Sequence, residues 1–85
     1  MKNREIIADA AVKAGILTQE EAKGMLDEGK YIPLHTIGGW RLRGEYKIKD
    51  GETGIEVKLW KRKEDGTGFY LAKANLFREE QLYIE

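Results

Sequence analysis

Residues 58–63 read Lys-Leu-Trp-Lys-Arg-Lys, which sets one tryptophan among four cations, Lys58, Lys61, Arg62 and Lys63. Single-stranded nucleic acid is bound by groups of this kind: cations track the phosphates, and an aromatic face takes stacked bases at about 1–3 kcal/mol each. The same residues also suit a packing role, in which Trp60 fills an apolar contact beneath the aliphatic stems of its neighbours. Catalytic chemistry is harder to find. His35 is the only imidazole and there is no cysteine, so neither a thiolate or two-histidine metal site nor a Cys–His nucleophile pair can be built. Beside Pro33 and Thr36, His35 reads as a capping or packing residue. Glu20, Glu21, Asp27 and Glu28 read as the solvated face of a short helix. Gly51 and Gly54 lie in a turn that no helix follows, so they form no phosphate loop. The expectation is a non-enzymatic chain with no cofactor and no metal.

Fifteen Lys and Arg offset fifteen Asp and Glu over 85 residues, a length that supports one small core. Charge arguments must therefore be local. Residues 40–63 hold eight cations (Arg41, Arg43, Lys47, Lys49, Lys58, Lys61, Arg62, Lys63) against four anions (Glu45, Asp50, Glu52, Glu56). A neutral chain thus carries a basic segment. No run approaches the ~20 apolar residues needed to cross a bilayer. Met1 is followed by charged residues and cysteine is absent, which leads to the expectation of a reducing cytoplasm and no membrane.

The elements that position these residues follow from periodicity. Ile6, Ile7, Ala10, Ala11 and Ala14 recur at helical spacing, predicting a helix over 3–14 that Gly15 ends. Thr18 with Glu21 three residues on is a capping box for a second helix bearing Ala22, Met25 and Leu26, closed by Gly29. The short Gly15–Leu17 connection makes the pair an antiparallel hairpin. Thr36 caps a short third helix carrying Ile37 and Trp40, with Trp40 in the core. After Gly44 the period becomes two. Tyr46 and Ile48 alternate with Lys47 and Lys49, and Ile55, Val57 and Leu59 alternate with Glu56, Lys58 and Trp60. The "DGETG" turn joins these two strands into an expected β-hairpin, "KEDGTG" turns again, "FYLAKANLF" is a third strand, and the end forms a turn at 78–81 and then extends. With Ile55, Val57 and Leu59 facing the helices, Lys58, Trp60 and Arg62 share the opposite face, together with Lys47 and Lys49 from the neighbouring strand.

The stretch "HTIGGWRLRGEYKIKDGETGIEVKLWK" followed by "GFYLAKANLFREEQ" resembles the N-terminal single-stranded-DNA-binding domain of ArdC-type antirestriction proteins of plasmids, phages and other mobile elements. The resemblance rests on Thr36 and Trp40, Gly44, Tyr46 and Ile48, the turn at 49–54, "IEVKLWK" at 55–61 and "LFREEQ" at 76–81, so it covers residues 35–81. The turn here carries Asp50 and Thr53 where the family often has lysine, which implies fewer phosphate contacts at that point. The resemblance implies a DNA-binding unit without catalysis.

These readings converge on an α+β fold, in which an N-terminal αα-hairpin (1–30) and a short third helix pack on one face of a three-stranded antiparallel β-meander within one 1–85 domain. The expected function is binding of single-stranded DNA or RNA in a mobile-element setting. Lys47, Lys49, Lys58, Arg62 and Lys63 would hold phosphates, and Trp60 with Tyr46 or Tyr70 would offer stacking surface. The alternative is a small protein-binding module that inhibits a host defence protein such as a restriction or CRISPR nuclease.

Overall fold

The two helices expected at the start of the chain form from the signals that predict them. In the computed structural model, which describes residues 1–84, α1 (Asn3–Lys13), α2 (Gln19–Glu28), α3 (Ile37–Arg41), β1 (Tyr46–Ile48), β2 (Ile55–Arg62), β3 (Phe69–Leu76), a 3-10 turn (Glu79–Gln81) and β4 (Leu82–Ile84) follow in that order. The Glu21 N–H donates to the Thr18 hydroxyl at 3.1 Å while the Thr18 N–H donates to the Glu21 carboxylate at 3.0 Å, which completes the capping box. Gly29 ends α2 at φ 68°, in the left-handed region glycine enters without strain. Past that glycine the Lys30 N–H turns back to donate to the Met25 carbonyl at 2.9 Å, which satisfies one of the carbonyls a helix end leaves open. Arg4, reaching across from α1, donates to the Met25 and Lys30 carbonyls at 3.2 and 3.0 Å. Ala14 is exposed, and Ala8 takes the buried place on α1 with Ala10 and Ala11.

β2 and β3 pair antiparallel across a turn that the Lys63 N–H closes on the Gly68 carbonyl at 2.8 Å. Alternation sorts their side chains as the sequence predicts. Ile55, Val57 and Leu59 join Ala74 and Leu76 under the two helices, in a core with Ala8, Ala10, Ala11, Ala22, Ile32 and Leu34. Lys58, Trp60 and Arg62 are exposed on the other face.

The α+β class therefore stands, but the strands do not form one three-stranded meander. β1 pairs antiparallel with β4, setting Tyr46 opposite Ile84 and Ile48 opposite Leu82, and β2 pairs with β3 alone. The reason lies in the turn at 49–54, which wraps the 3-10 turn instead of closing a hairpin. Lys49 donates its N–H to the Gln81 carbonyl at 2.9 Å, and Gln81 Nε2 donates to the Thr53 carbonyl at 2.9 Å and to the Glu52 carboxylate at 3.1 Å. β1 is thereby directed to the C-terminal strand. Tyr46 and Ile48 pack with Ile37 against a second core of Trp40, Phe77 and Leu82.

The two cores lie on opposite sides of the β2–β3 hairpin. Successive residues of an extended chain point to opposite faces, and of the adjacent Leu76 and Phe77 the first enters the helical core and the second the Trp40 core. α3 accordingly sits across the sheet from α1 and α2, whereas the sequence reading put all three helices on one face. Trp40 is 6% exposed, and its indole N–H donates to the Phe77 carbonyl at 2.9 Å. His35 exchanges backbone hydrogen bonds with Phe77 at 2.7 and 3.2 Å, which ties the start of α3 to the end of β3.

Candidate nucleic-acid interface

The outer face of the hairpin is built by cross-strand pairs. The register sets Trp60 opposite Leu71, Arg62 opposite Phe69 and Lys58 opposite Lys73. Trp60 is 40% exposed, Leu71 47% and Phe69 65%. Opposed residues lie within side-chain reach of one another, so these three form an apolar platform bordered by Lys58, Lys73 and Arg62. Among the described residues the side chains of Lys58, Arg62 and Lys63 have no hydrogen-bond or ion-pair partner. Lys73 makes only a loose, exposed pair with Glu56 at 3.8 Å.

Trp60 is held in place by the beginning of the chain. The Trp60 N–H donates to Asn3 Oδ1 at 2.8 Å and Asn3 Nδ2 donates to the Trp60 carbonyl at 3.1 Å, so one carboxamide closes the free edge of β2 as a paired strand would. The indole Nε1 donates to the Met1 carbonyl at 2.8 Å. The ring's polar edge is thus satisfied while part of its surface stays open, which fixes orientation without burial. The packing reading of Trp60 holds in this limited sense: residues from the N-terminus touch its rim, and the second core covers the far end of the same face.

Of the candidate residues, Lys58, Trp60 and Arg62 come together, and Lys63 lies just beyond them at the start of the turn. The others are placed elsewhere. Lys47 stands opposite Tyr83 in the β1–β4 pair, and Lys49 Nζ donates to the Glu80 carbonyl at 3.0 Å, so neither lies on a strand beside Trp60. Tyr46 is half-buried, its ring 5.2 Å from that of Trp40. Tyr70 pairs with Lys61 and by alternation faces the helical side. Phe69, Leu71 and Lys73 take the places expected of Tyr46, Tyr70 and the β1 lysines. That assignment was available from the sequence: a turn centred on Asp65 and Gly66 pairs residue 60 with residue 71.

Apart from this face, the His35 side chain is perturbed by its packing. His35 packs edge-on to Trp40 with ring centroids 5.0 Å apart and to Tyr31 at 6.2 Å, and Arg43 lies 4.8 Å over the Tyr31 ring. Burial, and secondarily the nearby Arg43 charge, hold the His35 pKa below its usual 6.5. The imidazole is therefore neutral at pH 7 and packs as an aromatic. Among the described residues no helix is long and apolar enough to cross a membrane. Comparison with protein-family models, curated proteins and solved structures finds no match for the chain.

Proposed function

We propose that the protein binds single-stranded nucleic acid, without catalysis, on the outer face of β2 and β3. The observation that carries this reading is the juxtaposition of the exposed Trp60–Leu71–Phe69 platform with Lys58, Arg62 and Lys73 on one face of a two-stranded ribbon. Bases stack on the platform and phosphates run along the cations, so affinity is salt-dependent and tolerant of sequence. The resemblance of residues 35–81 to ArdC-type domains supports a mobile-element setting, and the absence of cysteine supports a cytoplasmic one.

The test is fluorescence titration with short single strands. Trp60 emission is expected to be quenched while buried Trp40 stays silent, binding weakens steeply between low and physiological salt, and Trp60→Ala loses about 1–3 kcal/mol of affinity with the fold intact. No binding at roughly 50 mM salt, where phosphate contacts are little screened, rules the reading out.

A protein partner is the second reading, and the free edge of β3 favours it. Because Trp60 gives its backbone groups to Asn3, it and Leu71 form a non-hydrogen-bonded pair, so the backbone groups of Phe69, Leu71, Lys73 and Asn75 turn outward. An extended segment of a host defence protein could add there as a strand.

A further inference from the structure

A cleft of about 660 Å3 opens where the Trp60 face meets the second core. Trp60, Lys73 and Asn75 line it from the hairpin, and Ile37 and Gly38 of α3 and Ile48 of β1 line it from the other side. Its size lies within the roughly 300–1,000 Å3 typical of small-ligand sites. The chemistry is mixed in the way a nucleotide requires. Ile37, Ile48 and the indole give apolar surface for a base, and Lys73 gives an ammonium group that an exposed pair with Glu56 holds only weakly. Asn75 gives a carboxamide with no protein partner among the described residues, exposed at the end of β3. A carboxamide offers a donor and an acceptor side by side, the pattern that matches adenine N7 and N6.

We infer that this cleft seats one nucleotide of a bound single strand, its base between the isoleucines and Trp60, its edge read by Asn75 and its phosphate held by Lys73. The inference rests on the strand-binding reading above and adds to it a base-selective subsite on an otherwise sequence-tolerant surface. α3 contributes a means of testing it. A Cβ on Gly38 would meet only the Thr36 hydroxyl, at 3.9 Å, so a leucine there fits the backbone and projects from a residue that lines the cleft.

The experiment measures affinities of the full chain for oligo-dA, oligo-dC and oligo-dT of about 8 nucleotides, within the site sizes such surfaces occupy. The parent is expected to prefer oligo-dA by about tenfold, the order of one well-formed bidentate contact. Gly38→Leu and Asn75→Ala, each melting like the parent, abolish that preference, whereas Lys58→Gln weakens all three oligonucleotides alike. Equal affinity of the parent for the three, or a preference that survives both cleft variants, overturns the subsite and leaves the strand-binding face standing. No binding of any oligonucleotide overturns both.

Discussion

A Cβ on Gly54 would lie 2.8 Å from Asn75 Cβ, 2.9 Å from the rim of the Phe77 ring and 3.1 Å from the Leu76 carbonyl. Two of these neighbours are tied to backbone, and the Phe77 ring belongs to the second core, so none can yield cheaply. Gly54 is therefore required for close approach, a role distinct from the positive φ of 82° that Gly51 supplies in the same turn. Gly54→Ala is expected to destabilise the fold by about 1–3 kcal/mol through overpacking. Urea unfolding would show it as a lowered midpoint at unchanged slope, and a variant unfolding with the parent would mean that β3 moves aside freely. In sequence this glycine is indistinguishable from its turn neighbour, because the contact that demands it comes from residues more than 20 positions away.

At the scale of elements, the clearest features were those encoded within a few residues. Thr18, Glu21 and Gly29 mark both ends of α2 by chemistry local to that helix, and the parity of β2 follows from Ile55, Val57 and Leu59. The partner of β1 was not legible for an equally physical reason. Tyr46-Lys47-Ile48 alternates identically whether it lies beside β2 or β4, and the choice is made by Gln81 and Lys49, whose bonds join segments remote in sequence. That single ambiguity carried Lys47, Lys49 and Tyr46 into the candidate site. The long-range clamp by Arg4 was missed likewise, since nothing around it in sequence distinguishes it from a solvated helix cation. Arg4→Met keeps the aliphatic stem and removes the bonds to the Met25 carbonyl of α2 and the Lys30 carbonyl just beyond it. It should cost no more than the lower end of the about 1.5–3 kcal/mol range for charged hydrogen bonds, because the group is exposed. Thermal melting at two salt concentrations would check this: no loss in either would show that water satisfies those carbonyls equally well.

The whole molecule is less compact than its length allows, with a radius of gyration of 13.6 Å where a single 85-residue globule would have about 12 Å. Two small cores on opposite sides of one hairpin account for the difference. Among the described residues the second has only Trp40, Phe77 and Leu82 buried, so it is expected to open at lower free energy than the helical core. His35 sits at its seam, bonded through its backbone to Phe77 and packed through its ring on Trp40. Its pKa is held below 6.5 in the folded state, by burial first and Arg43 second, so around that pH the unfolded chain binds more protons than the folded one. Linkage then fixes the sign: the contribution is fully present above pH 6.5 and is lost as pH falls through 6.5 toward the folded pKa. Half-exposure of the ring keeps the effect modest. Hydrogen-exchange protection of the Trp40 and Phe77 amides should therefore fall between pH 7.5 and 5.5, a window set around the ordinary histidine pKa of ~6.5, while the β2–β3 amides keep theirs. His35→Gln should remove the difference in pH response between the two sets. Parallel loss in both cores, or an unchanged pH dependence in that variant, would show that the acid response belongs to other groups. Because Ile37 and Ile48 line the cleft beside Trp60 and also pack on the second core, the same acidification should loosen that cleft before it disturbs the basic face.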